Sequence, residues 1–294
     1  MFSSKICYNK RCVKTRKTKA KKDYERVIMN DNLINNNIKL YDKIFDALKK
    51  EISSKDFREC LKEAQRIDSN HYNEKISIEE MIEYLEQYKK YEHSRDRVGK
   101  AMILQRGNPE IIFQICLEIL RSDFIEITLV IQDFCVGQST FIVESINEIF
   151  KQNKLNKKIT ISNLLSDEQI VEKSKDYNTV ISVGDSNLYN RLENEIPNLE
   201  LNPYGIFEVY SNSEEFKELE EMFFEYCYQK EFEAENYGDS KFNDAIRLIN
   251  KNGYNFAAIL FSKDEEEQKE FKEKINSKYV IINKNPFKEI KFRL

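Results

Sequence analysis

Few side chains in this sequence have both the type and the setting for bond-making chemistry. A nucleophilic thiol needs its pKa lowered by a cation, a base or a helix N-terminus. Six cysteines stand at positions 7, 12, 60, 116, 135 and 227. Cys7 and Cys12 have no second Cys or His pair at zinc-like spacing,. Cys227 lies in FFEYCYQKE, where Phe216, Leu219, Phe223 and Cys227 recur at the spacing of a helix's core face, with Glu225 beside the thiol. That setting disfavours a thiolate and points to a buried structural cysteine. The two histidines, His71 and His93, sit among charged residues and fit surface positions better than a triad or metal site,. Two other segments could do chemistry through the backbone: Gln105-Arg-Gly-Asn-Pro109 and Ser182-Val-Gly-Asp-Ser-Asn-Leu188, each of which ends an apolar run and opens an amphipathic one. A turn of that kind offers helix N-terminal amides to an anion.

The elements that must hold these turns follow from periodicity. Over 33–90 apolar residues recur at three- and four-residue steps, and Ser77-Ile-Glu-Glu80 is a capping box opening one of the helices,. After Val98 short apolar runs alternate with amphipathic stretches. The pattern predicts strands near 100–105, 125–131, 158–162, 178–183, 205–210, 256–261 and 278–283. Helices are predicted near 109–121, 139–151, 166–175, 186–195, 213–229, 240–252 and 264–276,. Such alternation calls for an α/β fold with a doubly wound, mostly parallel sheet, Rossmann-like, behind an N-terminal helical segment. Its ligands bind beyond the carboxyl ends of the strands, which is where both turns fall.

Composition narrows the classes. Lys and Arg number 47 against 51 Asp and Glu, a net charge of −4 that gives no overall case for nucleic acid or membrane,. The exception is 1–28, with ten Lys/Arg from Lys5 to Arg26 against Asp23 and Glu25. This block is poor in apolar residues and is expected to be a disordered arm, open to nucleic-acid or anionic-surface contact, or else an extension upstream of a start at Met29. Residues 29–97 then form a helical leader and 98–294 the α/β part. No apolar run approaches the roughly 20 residues needed to span a bilayer, and the N-terminus lacks the apolar core of a signal peptide,. A cytoplasmic protein is expected. Seven glycines in 294 residues leave no complete G-x-G-x-x-G or Walker A loop,.

The chain resembles the aldehyde dehydrogenase superfamily, acyl-CoA reductase relatives included. Asn108-Pro109 looks like the family's Asn-Pro or Asn-Phe-Pro after a strand, and Gly184-Asp-Ser186 like its Gly-Ser turn for the dinucleotide phosphates. The closest similarity covers 242–286: Phe242, Ala245, Ile246, Asn250, Tyr254, Ala257, Ala258, Phe261, Asp264, Val280 and Asn283 stand where the family's pattern wants them. The resemblance implies NAD(P) as cofactor, with Gly184, Asp185, Ser186 and Gln132 as its contacts. It implies Asn108 as donor to an oxyanion.

The departures bear on function. The family's Gly-Gln-x-Cys nucleophile is missing, and its catalytic domain is reduced to about 196–240, where Cys227 is the one thiol. Where the family's second strand ends in Lys-Pro-Ser, whose Lys contacts the adenosine ribose, this chain has Ile131-Gln-Asp-Phe-Cys135. Gln132 supplies no charge, and Asp185 places a carboxylate where phosphate would bind, so no cofactor is firmly implied. Asn108 is then more simply the N-cap of a helix with Pro109 at its first position. The expectation is an aldehyde-dehydrogenase-like protein that has lost catalysis and acts as a binding or oligomerisation module, pairing with itself or with a full-length homologue. The C-terminal FKEIKFRL fits either an edge strand for such pairing or simple tail packing. The alternatives are an NAD(P)-dependent aldehyde or acyl-CoA reductase using Cys227, and nucleic-acid contact through the basic arm.

Overall fold

A computed structural model describes residues 39–68, 75–90, 94–132, 136–229, 232–286, 289, 290 and 292. The basic arm at 1–28, both histidines, Cys7, Cys12 and Cys135 lie outside them. Two compact units divide at Ala47/Leu48. Of the first, residues 39–47 are helical, part of a helix over 39–52 (α1); everything below concerns the second.

The helical leader continues with α2 (Lys55–Asp68) and α3 (Ile78–Lys89), whose capping box forms as expected between Ser77 and Glu80. Strands and helices then alternate: β1 (Ser94–Gln105), α4 (Pro109–Arg121), β2 (Ser122–Ile131), α5 (Val136–Gln152), β3 (Lys158–Asn163), α6 (Asp167–Ser174), β4 (Thr179–Val183), α7 (Ser186–Leu192) and β5 (Leu199–Asn202). The five strands pair in parallel in the order β3-β2-β1-β4-β5. Ala101 to Leu104 of β1 are fully buried, as a central strand covered on both faces requires,. Helix α4 is buried along its whole length, which explains its run of Ile, Phe, Cys and Leu with so few polar residues.

The chain then builds β6 (Ile206–Ser211), α8 (Lys217–Gln229), β7 (Glu233–Asn236), α9 (Phe242–Asn252), β8 (Ala257–Phe261), α10 (Glu265–Lys274) and β9 (Tyr279–Ile282). These strands are also parallel, in the order β7-β6-β8-β9. The α/β architecture is therefore the expected one, but the strands fall into two sheets rather than one continuous sheet. The stretch 196–240 holds the end of the first sheet and, in β6, an interior strand of the second. The polar strands β5 (LELN) and β7 (EAEN) are not foreshadowed by apolar runs, and both lie at sheet edges.

The C-terminal tail packs down. Ile290 and Phe292 are buried, the Phe292 ring meets Tyr204 edge-on at 5.0 Å, and its carbonyl accepts the Tyr88 hydroxyl. At these positions tail packing, not an edge strand, is what forms; Phe287 and Leu294 lie outside the described residues.

Candidate functional site

In the first sheet the strand order reverses between β1 and β4, and the crevice beyond their carboxyl ends is where a doubly wound sheet takes its ligand,. Both turns singled out from the sequence meet there. Gly184 has φ +65°, and a Cβ on it would come within 2.6 Å of the Tyr204 carbonyl oxygen, so the position needs glycine for conformation and for space,.

The helix N-termini around this edge are taken by the protein's own side chains. Asn108 caps α4, its Oδ1 accepting the N–H groups of Glu110 (2.9 Å) and Ile111 (3.1 Å). Asp185 caps α7 through the Leu188 N–H at 2.9 Å. Asp68, 2% exposed on α2, reaches across to α5 and accepts from Gly137 and Gln138, both at 2.8 Å. Gly137 permits that approach, since a Cβ there would lie 2.8 Å from Asp68 Oδ1. Ser166 caps α6 in the same way.

An ion cluster stands at the crevice. The Arg106 guanidinium, directly after β1, donates to Asp185 Oδ2 (3.1 Å) and Oδ1 (3.3 Å) and to Glu233 Oε1 (2.8 Å). Glu233 belongs to β7 of the second sheet, and its carboxylate also accepts the Ser186 N–H (3.1 Å) and hydroxyl (2.6 Å). The Arg106, Asp185 and Glu233 side chains are 30%, 10% and 21% exposed. Two carboxylates thus stand at the Gly184-Asp-Ser186 turn and accept the Ser186 and Leu188 amides and the Ser186 hydroxyl, groups a phosphate at this helix start would compete for,.

Gln132 lies at the end of β2, its N–H donating to the Gln105 carbonyl at 3.0 Å, while its Nε2 has no hydrogen-bond partner. It offers a neutral amide where the resemblance calls for the lysine that contacts the adenosine ribose. The residues present do not fit a dinucleotide.

Cys227 is buried in α8, on the face that also buries Phe223, and burial pushes its thiol pKa well above the ordinary value. Cys116 in α4 is buried with the same consequence, whereas Cys60 is exposed. No group of His, Cys, Asp and Glu able to hold a metal ion occurs among the described residues. No helix among them is long and apolar enough to cross a membrane.

Of the residues carrying the C-terminal resemblance, several have evident structural tasks. Asn250 ties α9 to the end of α10, its amide donating to the Lys274 carbonyl (2.8 Å) and its oxygen accepting the Asn276 N–H (2.8 Å). Asn283 does the same between the ends of β8 and β9, through both the N–H and the carbonyl of Ser262. Ala257 and Ala258 are fully buried in β8. Arg106, Asp68 and Glu233 were not singled out by the sequence. Arg106 adjoins the Asn-Pro turn, a signal that was there to be used; Glu233 had none, being one acid among many.

The sequence matches no family profile and no curated protein. Among solved structures, the chain is similar to gamma-glutamyl phosphate reductase from Thermotoga maritima (TM-score 0.50, 12% identity, covering 84% of this chain and 87% of that one). It is similar to aldehyde dehydrogenase 21 from Physcomitrella patens (TM-score 0.53, 10% identity, 85% and 78%). A NAD-dependent benzaldehyde dehydrogenase from Corynebacterium glutamicum gives a TM-score of 0.52 at 10% identity, covering 85% and 80%. The chain has the fold that these aldehyde-dehydrogenase-type structures share.

Proposed function

We propose that this chain is an aldehyde-dehydrogenase-fold protein that works by binding and not by turnover. The observation that carries this is the Arg106–Asp185–Glu233 cluster, which places paired charge at the sheet's reversal point and takes up the Ser186 N–H and hydroxyl. Phosphate entering there would have to displace one carboxylate and leave Arg106 or Ser186 to be satisfied anew, while the Asp185 charge repelled it. The thiol side of the chemistry points the same way: a nucleophile must be ionised, and burial holds Cys227 protonated,. Asn108 spends its side-chain oxygen on the start of α4, in keeping with a capping role.

Titration calorimetry with NAD and NADP, paired with alkylation of Cys227 in the native protein, tests this. We expect no binding of either nucleotide in the micromolar range and a native alkylation rate at least a hundredfold below that of the unfolded chain. Micromolar binding together with a fast-reacting Cys227 would support the reductase alternative instead.

A further inference from the structure

A strand at the edge of a sheet leaves a row of backbone groups with which another chain can pair, and folded proteins block such rows. The two sheets have four edges, β3 and β5 in the first and β7 and β9 in the second. β5 carries Glu200, and β7 carries Glu233 and Glu235. β9 is only four residues long and runs between Lys278 and Lys284. β3 (KITISN) has no such defence beyond Lys158 at its first position, and its Ile-Thr-Ile centre has a high strand propensity,.

A side chain takes up the start of that edge instead. Asn147, on α5, donates through Nδ2 to the Ile159 carbonyl (2.7 Å) and accepts the Ile159 N–H on Oδ1 (3.0 Å). These are the two bonds that a residue of a neighbouring strand would make, offered by one amide group. The remainder of the edge is open. In a parallel strand alternate residues turn both backbone groups to the same side. Ile161 and Asn163 therefore point theirs where Ile159 does, and among the described residues no strand lies there. Leu164, next in the chain, donates its N–H inward to the Ile131 carbonyl (2.9 Å) and leaves a large apolar side chain 47% exposed beside the open edge.

We infer that the outer edge of β3 is a pairing surface for a second copy of this chain, and that Asn147 keeps it shut. A second copy fits because the edge is complementary to itself. Antiparallel pairing about a twofold axis at Ile161 sets Ile161 against its counterpart and Ile159 against Asn163, so each outward N–H meets an outward carbonyl. Like charges are not opposed, since Lys158 comes to face Leu164 of the other copy. With Asn147 in place Ile159 has nothing to offer, both end pairs are lost, and the central pair alone must bear the ordering cost of association. Neither Asn147 nor β3 takes part in the Arg106 cluster, so the inference is independent of the nucleotide question.

Light scattering coupled to size exclusion tests it on the full chain, comparing the parent, Asn147→Ala, and Asn147→Ala combined with Ile161→Pro. Proline is tolerated at an edge position whose N–H points outward, and no strand can pair with it there. Asn147→Ala is expected to self-associate at concentrations at least about tenfold below any at which the parent does. The double variant should return to the parent's mass. Where Asn147→Ala associates, its Ile161 amide should exchange hydrogen at least about tenfold more slowly than in the parent. A folded Asn147→Ala protein with the parent's mass at every concentration overturns the proposal. So does an association that Ile161→Pro leaves intact, because the chains would then meet elsewhere. Should Asn147→Ala not fold, hydrogen exchange of the parent decides: fast exchange at Ile161 beside slow exchange at Ile159 supports the proposal, and equal protection of the two amides ends it. NAD binding would overturn the reading of the crevice and leave this one standing.

Discussion

A carboxylate at a helix N-terminus meets the same need as a bound phosphate, and it does so from within the fold. Asp185 and Glu233 stand in that relation to the Gly184-Asp-Ser186 turn, and Arg106 neutralises what would otherwise be two facing negative charges. Arg106→Met is expected to destabilise the protein by about 2 kcal/mol, below the 3–5 kcal/mol of a fully buried pair because these side chains keep some solvent. The same substitution combined with Asp185→Asn and Glu233→Gln should recover most of that loss, since the amides keep an acceptor for Leu188 and Ser186 without the repulsion. Chemical denaturation of the three proteins, parent, single and triple variant, measures it; equal losses for the single and triple variants would show that the guanidinium stabilises by packing alone. At this scale the sequence was half legible. Asn108 before Pro109 announces its capping role because the cap is local. Glu233 could not be found, because its meaning depends on a strand 47 residues away being laid beside Ser186.

At the scale of elements, apolar strands declared themselves and polar ones did not. β8 (AAILF) is buried on both faces and reads as a strand, whereas β5 carries Glu200 and β7 carries Glu233 and Glu235 because sheet edges allow them,. β6 carries a polar residue that is not at ease. Glu208 is 3% exposed, its Oε1 accepts the Tyr254 N–H at 2.9 Å, and its Oε2 has no hydrogen-bond partner. Burial, opposed by that N–H and aided by Glu235, raises its pKa from 4.5 to about 7. A carboxyl whose folded pKa is raised binds its proton more tightly folded than unfolded. Its contribution is whole below the unfolded value and is lost as pH rises through about 7. The shift corresponds to roughly 3 kcal/mol at 1.36 kcal/mol per unit. The protein is expected to lose stability on this scale between pH 4.5 and neutrality, and Glu208→Gln to abolish that part of the slope. Denaturation midpoints across this range decide it; parallel profiles for the two proteins would mean that Glu208 ionises freely.

For the molecule above Ala47, pairing order is the property that local patterns cannot express. Alternating strands and helices predict parallel pairing, but whether nine strands join in one sheet or divide into two depends on which edges meet, and β5 and β6 are separated by only three residues. The division does not make two independent bodies. Tyr204, between β5 and β6, packs its ring against Phe232, Phe256 and Phe292 at centroid distances of 6.0, 6.3 and 5.0 Å. Arg106 and Ser186 on the first-sheet side are bonded to Glu233 in the second. Losing either sheet would leave the Tyr204 cluster half exposed and part of the Arg106 cluster uncompensated, so the two sheets should unfold in one cooperative step. The chain carries its own reporters: Cys116 is buried in α4 beside the first sheet, and Cys227 in α8, whose Phe223 ring meets Phe207 of β6 at 5.5 Å. Brief alkylation pulses at increasing urea should show both thiols losing protection at the same midpoint. A Cys227 midpoint well below that of Cys116 would mean that the second sheet opens alone, and that the ion cluster and the Tyr204 rings bind the sheets less tightly than the energetics above require.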